Sequence, residues 1–424
     1  MKFALQQYLD TAVTSIHGAI QIEMILKEGG FQELSESSPQ QPVVQRREGS
    51  VVAIRPGSVP PEEGGLLILA AHTDSPGMQL KHRSAVVEDH FLRVPVEVYG
   101  SPVIATWLDQ DLTIAGRVAT AREVYRIFIP RPMGIIPNVA IHLDRTKNDS
   151  LTYHRQDQLP VLFGPDAQMD DQWLLQRVAE HLEISPAEII DMELNVVPLS
   201  PATVMDTGML TSPRIDNASG CFAVLQAIRA QPIHREQTVV AMFYDHEEIG
   251  STTAFGATGS GLPQFLRRYY HRHQPDTLLE DILDRAVLVS VDAANGRHPN
   301  YRGLHDSGYA PLLGAGPVIK KSAIRRYASE LPAVAWFAAT AAGVDVPVQY
   351  LQNRSDIPAG TTIGPIAASQ LAIPSVDVGI PILAMHSSRE TATVQDVEQL
   401  TQVLQNLSIG VFHDIRDPDT TRKN

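Results

Sequence analysis

The sequence predicts an α/β protein with a mostly parallel sheet covered by helices on both faces, interrupted by an inserted β-rich domain. Three observations carry that prediction. Residues 1–84 and 205–424 alternate apolar strand-like runs with helix-spaced segments, which is the pattern of one discontinuous α/β domain. Residues 85–204 between them read as short strands separated by turn residues. Several apolar runs of the first unit end in His, Asp or Glu.

In chain order, residues 3–28 have helical spacing through Leu5, Tyr8, Leu9, Val13, Ile16, Ile20, Met24 and Ile25, and Gly29 and Gly30 supply a stop. Strands are expected at 51–55 and 66–71. In the next unit AVVEDHFLRVPVEVYG, LTIAGRVAT, EVYRIFIP and VAIHLDR read as strands and DDQWLLQRVAEHL as a helix. SPAEIIDMEL reads as a second helix, with Ser185, Pro186 and Glu188 matching a capped start. Beyond residue 212, SGCFAVLQAIRA and SELPAVAWFAATAAG read as helices, TVVAMFYD, AVLVSVDA and PSVDVGI as strands, and 394–412 as a final helix.

A chain of 424 residues exceeds what one hydrophobic core serves, and 43% hydrophobic content fills two or three. Forty-eight acidic residues against 34 basic ones give a net charge of -14, with no dense Lys/Arg stripe, which argues against nucleic acid or an anionic membrane as partner. No apolar run approaches the ~20 residues of a membrane span. Cys221 is the lone cysteine, so no internal disulfide forms, and MKFALQQYLDTAVTS interrupts its apolar residues with Gln and Asp. The expectation is a soluble, cytoplasmic protein.

The chemistry-bearing residues fall at strand ends. LLILAAHTDSP ends a strand with His72 and Asp74, AMFYDHEEIGS another with Glu247 and Glu248, VLVSVDAANG a third with Asp292, and PILAMHSSRE an apolar run with His386. SPRIDNASG places Asp216 before a helix start. In open α/β sheets ligands bind beyond the carboxyl ends of strands, so these groups are candidates to converge. Neighbouring residues leaving a strand point in different directions, so one carboxylate of the Glu247–Glu248 pair can bind a cation while the other faces water. Two His with several carboxylates suit zinc, and a shared Asp suits a two-metal pair. Each piece alone also has a structural reading: a hydrogen-bonded strand-end His, an Asp216 N-cap, a solvated EE loop.

AHTDSP, RIDN, HEEIGS, SVDAANGRHPNY, IKKSAIRRYAS, GTTIGPI and LAMHSSRE, in this order between residues 71 and 390, resemble the motifs of the aspartyl aminopeptidases, the M18 metallopeptidases. The resemblance implies a catalytic domain with two zinc ions per subunit (Mn2+ or Co2+ as substitutes) and a β-rich dimerisation domain. It assigns His72 and Asp292 to one zinc, Glu248 and His386 to the other, Asp216 as the bridge, and Glu247 as general base. Asp74 is then placed to orient the His72 ring. It implies removal of the first residue, preferably Asp or Glu, from peptides with a free N-terminus. Lys320 and Tyr327 fall in the side-chain pocket, with Gly360 and Thr361 of GTTIGPI, against the alternative that Lys320 and Lys321 are merely solvated. His142 of NVAIHLDR would enter the neighbouring subunit's site, unless it is an ordinary strand-end His. The implied assembly is a homo-oligomer of dimers, a tetrahedral dodecamer. One departure stands out: the family usually has His three residues after the zinc-binding Asp, and this chain has Asn295, which carries no positive charge. A broad-specificity dinuclear aminopeptidase, a deacylase and a non-enzymatic assembly or cargo-binding protein are the alternatives.

Overall fold

The computed structural model describes residues 1–165, 170–230 and 235–416. Its main sheet has eight strands, and the central four, Thr238–Tyr244, Leu66–His72, Ala286–Val291 and Ser375–Gly379, run parallel. Ser50–Arg55 and Val43–Arg47 extend one side antiparallel, while Val318–Lys320 and Gln349–Leu351 form the other edge.

The central strands are continuous apolar runs because both faces are covered. Along Leu66–His72, Leu67, Leu69 and Ala71 pack into the layer that holds helices Lys2–Thr11, Ser15–Glu28, Ile215–Arg229, Leu331–Gly343 and Val394–Asn406. Leu66, Ile68 and Ala70 face the opposite layer, with helices Gly261–His273 and Ile363–Leu371. This alternation gives each residue of the strand a buried environment.

A second, wholly antiparallel sheet has five strands in the order Val96–Tyr99, Gly77–Leu80, Ile189–Pro198, Leu112–Thr120, Val124–Phe128. A three-stranded sheet of Val161–Phe163, Phe91–Val94 and Val86–Glu88 accompanies it. Both contribute to a separate core with Trp107, Phe163, Leu174 and Leu194. Gly77–Leu80 belongs to this sheet, so it draws on chain ahead of residue 85.

Four local expectations are corrected. The segment 3–28 is two helices, Lys2–Thr11 and Ser15–Glu28. The Arg214 guanidinium binds the carbonyls of Leu9 and Ala12, and Thr14 caps the second helix through the His17 N–H. SPAEIIDMEL is a 3-10 turn, Pro186–Glu188, followed by the strand Ile189–Pro198; the capping box forms, but Met192, Leu194 and Val196 are buried at strand spacing. VAIHLDR is no strand: Ile141–Leu143 is a turn, and Val139, Ile141 and Leu143 are exposed. The final helix is interrupted, giving Val394–Asn406 and Ile409–Arg416, because the Gln237 side chain takes both the Leu407 carbonyl and the Ile409 N–H.

Candidate metal centre

Parallel register aligns the strand ends. His72 closes its strand directly opposite Tyr244, so Asp245 to Glu248 emerge beside it. Asp292 follows Val291, the last residue of the strand on His72's other side. Asp216 begins the helix Ile215–Arg229 with an extended, non-helical backbone. His386 lies in a turn at φ 67°, and Arg214 and His246 hold φ of 60° and 64°. Left-handed non-glycine residues gathered at one place mark a backbone held by its surroundings to aim side chains.

The side chains converge. Nε2 of His72 lies 3.3 Å from Oδ1 of Asp292 and 3.5 Å from Oδ1 of Asp216. Nε2 of His386 lies 3.6 Å from Oδ2 of Asp216 and 3.4 Å from Oε2 of Glu248. Candidate ligand atoms of His72, Asp216 and Asp292 fall within 4.8 Å of one another, as do those of Asp216, Glu248 and His386, and those of His72, Glu247 and Glu248.

The donor set fits divalent cations. Oδ1 of Asp216 and Oε1 of Glu248 are buried with no hydrogen-bond partner among the described residues, an arrangement costly without a cation. Both ring Nδ1 atoms are occupied from outside, His72 by the Asp74 carbonyl oxygen at 3.0 Å and His386 by the Ser101 carbonyl oxygen at 3.1 Å. That leaves each Nε2 turned inward as a ligand atom.

Burial and the surrounding carboxylates raise the Glu247 pKa to about 8 and hold Glu248 well above its ordinary value. Burial works against a charged His72, but the nearby carboxylates of Asp216, Asp292 and Asp74 outweigh it and raise its pKa well above normal. Asp216 is held low: burial opposes this, and the two histidines prevail. These opposed shifts describe a site that holds protons where a cation would sit.

Two positioning groups were legible only in part from sequence. Asp74 does more than meet His72: its Oδ1 accepts the Glu247 N–H at 3.0 Å and its Oδ2 the Glu248 N–H at 3.1 Å, fixing the glutamate pair. Glu390, the last residue of LAMHSSRE, carries no sequence signal of its role. It is buried, and its carboxylate accepts the N–H of Asp216 at 2.9 Å and of His386 at 2.6 Å.

The remaining sites are placed as follows. Lys320 is buried, its ammonium 3.1 Å from Oδ2 of Asp292 and 5.5 Å from the Tyr327 ring centre. Burial disfavours its charge, but Asp292, Tyr327 and Asp377 keep its pKa above normal. Asn295 is exposed and lines a cavity of about 310 Å³ with Tyr301, Tyr309, Leu351 and Arg354. Gly360 and Thr361 are exposed, and the Thr361 hydroxyl donates to the Arg326 carbonyl. His142 is exposed in the turn Ile141–Leu143.

The profile of the Aminopeptidase I zinc metalloprotease (M18) family matches residues 8–407. The chain belongs to the M18 family. It is therefore a metallo-aminopeptidase, a hydrolase of the exopeptidase kind. Among curated M18 relatives, the probable M18 family aminopeptidase 2 of Ectopseudomonas mendocina (strain ymp) is 36% identical over 416 residues, covering 94% of this chain and 96% of its own. Among solved structures, the cryo-EM structure of the Ape4 and Nbr1 complex superimposes with a TM-score of 0.92 at 29% identity, over 98% of this chain and 86% of the other. The mApe1 dodecamer of S. cerevisiae gives a TM-score of 0.83 at 22% identity, over 98% of each chain. The M18 fold is thus shared along nearly the whole length. Among the described residues no helix is long and apolar enough to cross a membrane.

Proposed function

We propose that this M18 enzyme is a dinuclear zinc aminopeptidase that removes the N-terminal residue of peptides, with incomplete preference for Asp and Glu. The observation that carries the reading is Asp216, whose two carboxylate oxygens each face one histidine, with a further carboxylate on each side. His72 and Asp292 would hold one zinc, Glu248 and His386 the other, and Asp216 both; Mn2+ or Co2+ would fit the same oxygen-rich set. Bound there, the ions supply Lewis-acid polarisation of the scissile carbonyl and a more acidic water.

The protein's own groups do the rest. Glu247 is tied by its N–H to Asp74 and is among the groups that converge with His72, placed to accept the proton of an attacking water and return it to the leaving amine. The free amine of the substrate would meet the carboxylates, so only chain ends react.

Lys320 with Tyr327, Gly360, Thr361 and Asn295 forms the side-chain pocket in this reading. One observation favours the broad-specificity alternative: the Lys320 ammonium is already committed to Asp292, leaving it less free to bind a substrate carboxylate. With Asn295 adding no charge, acidic preference is partial.

In this reading residues 85–204 form a dimerisation domain, and His142 reaches the neighbouring subunit's site. The exposed Val139, Ile141 and Leu143 around it support that use, and the dodecamer of the S. cerevisiae relative supports a dodecamer, which in this reading is a tetrahedral assembly of dimers. The free, buried Cys221 suits a cytoplasmic location.

The test is hydrolysis of a panel of aminoacyl reporter substrates by purified protein, with and without chelator and added Zn2+, Mn2+ or Co2+. Chelator-sensitive release of Asp and Glu ahead of neutral residues is expected. Activity indifferent to chelator, or cleavage only of N-acyl substrates, would refute it.

A further inference from the structure

The chain leaving the second sheet touches the metal centre at successive points. The Tyr99 hydroxyl donates to Oδ2 of Asp74 at 2.7 Å, on the same carboxylate that holds the N–H groups of Glu247 and Glu248. Gly100, at φ 66°, lies so close that an added Cβ would come within 3.2 Å of the Glu248 Cβ. The Ser101 carbonyl accepts from Nδ1 of His386 at 3.1 Å, and the Val103 N–H donates to the His386 carbonyl at 2.9 Å. Thr106 then binds Ser388 twice, its hydroxyl accepting the Ser388 N–H at 2.9 Å and its carbonyl the Ser388 hydroxyl at 2.6 Å.

We propose that the segment 99–106 is a clamp that sets the geometry of the metal ligands, with Tyr99 as its positioning residue, so that the second sheet is a working part of the centre. This rests on the reading of His72, Asp216, Glu248, Asp292 and His386 as zinc ligands. Tyr99 orients Asp74, and Asp74 fixes the backbone of the base and of one ligand. Ser101 fixes the His386 ring so that Nε2 faces inward, and Val103 and Thr106 hold the left-handed turn that carries it. Gly100 is required by both its φ and its closeness to Glu248. Tyr99 meets Asp74 from 25 residues away, Asp74 meets the Glu247 N–H from 173 residues away, and Ser101 meets His386 from 285 residues away, so only the tertiary fold makes this clamp.

Tyr99→Phe removes one hydroxyl and keeps the ring; Gly100→Ala disturbs the clamp without deleting a hydrogen bond. Thr113→Val is the control, since it deletes a buried hydrogen bond of the second sheet, to the Ile129 carbonyl, away from the centre. Zn2+ affinity of the metal-free proteins is measured by chelator competition, with thermal unfolding and steady-state kinetics on the best reporter substrate. Tyr99→Phe and Gly100→Ala are expected to lose about ten- to a hundred-fold in Zn2+ affinity, kcat or both, with KM within about twofold, beyond any change in Thr113→Val. Values matching Thr113→Val in both readouts overturn the clamp while leaving the zinc reading intact. A wild-type protein that takes up no Zn2+ overturns both.

Discussion

Asp216 stands between the two histidines, its Oδ1 3.5 Å from Nε2 of His72 and its Oδ2 3.6 Å from Nε2 of His386. A carboxylate shared in this way couples both halves of the centre. If the centre is dinuclear as proposed, Asp216→Ala is expected to deplete both zinc ions, whereas His386→Ala lowers occupancy mainly at one. Elemental analysis giving the same modest loss in both variants would remove the bridging role.

Glu247 and Glu248 are neighbours with different surroundings: Glu248 lies 3.4 Å from His386, and Glu247 is the proposed general base. Glu247→Gln keeps size and hydrogen bonding but cannot take a proton, so kcat should fall ~10³-fold with zinc content near wild type. Glu248→Gln should instead lose metal. Single-turnover rates and metal content measured on the same preparations distinguish the two.

Lys320 is bound to Asp292 at 3.1 Å and buried, so it has two testable duties. Removing one partner of a buried ion pair costs about 3–5 kcal/mol, and a bound cation on Asp292 would offset part of that cost. Lys320→Met should therefore lower the Tm of the metal-free protein more than that of the zinc-loaded one. It should also reduce kcat/KM for acidic first residues more than for neutral ones, and Asn295→His should widen the wild-type gap. Equal losses on all substrates would leave Lys320 as a support of Asp292 alone and favour broad specificity.

In the metal-free protein burial and the neighbouring carboxylates raise the Glu248 pKa well above its ordinary value, and the Asp216, Asp292 and Asp74 carboxylates overcome burial to raise that of His72, so both hold their protons to higher pH than free side chains do. A zinc ligand must be deprotonated, so zinc binding releases protons and its affinity rises with pH through the neutral range. Calorimetry in buffers of different ionisation enthalpy measures that release. Zinc affinity independent of pH between about 6 and 8 would contradict the ligand set.

Sequence by itself determined the α/β framework and brought forward the candidate site residues that converge at the strand ends. Both are local signals: continuous apolar runs such as Leu66–His72 specify strands buried on two faces, and the residues that end them, His72 and Asp292, stand at ligand-bearing positions in a parallel sheet. Local signals failed where a distant group decided the backbone. The segment 3–28 breaks because Arg214 takes the carbonyls of Leu9 and Ala12, and the final helix breaks around the Gln237 side chain. The helix start at Ser185 gives way to a strand because Leu112–Thr120 offers Ile189–Pro198 a full antiparallel edge, and pairing with it outweighs the cap. Tertiary structure alone decided that Lys320 is bound by Asp292, that Glu390 holds the N–H groups of Asp216 and His386, and that the Tyr99–Thr106 segment reaches into the centre. Each of these is a directional hydrogen bond whose partner is supplied by strand register and chain crossing, and a side chain's neighbours in sequence carry no record of either.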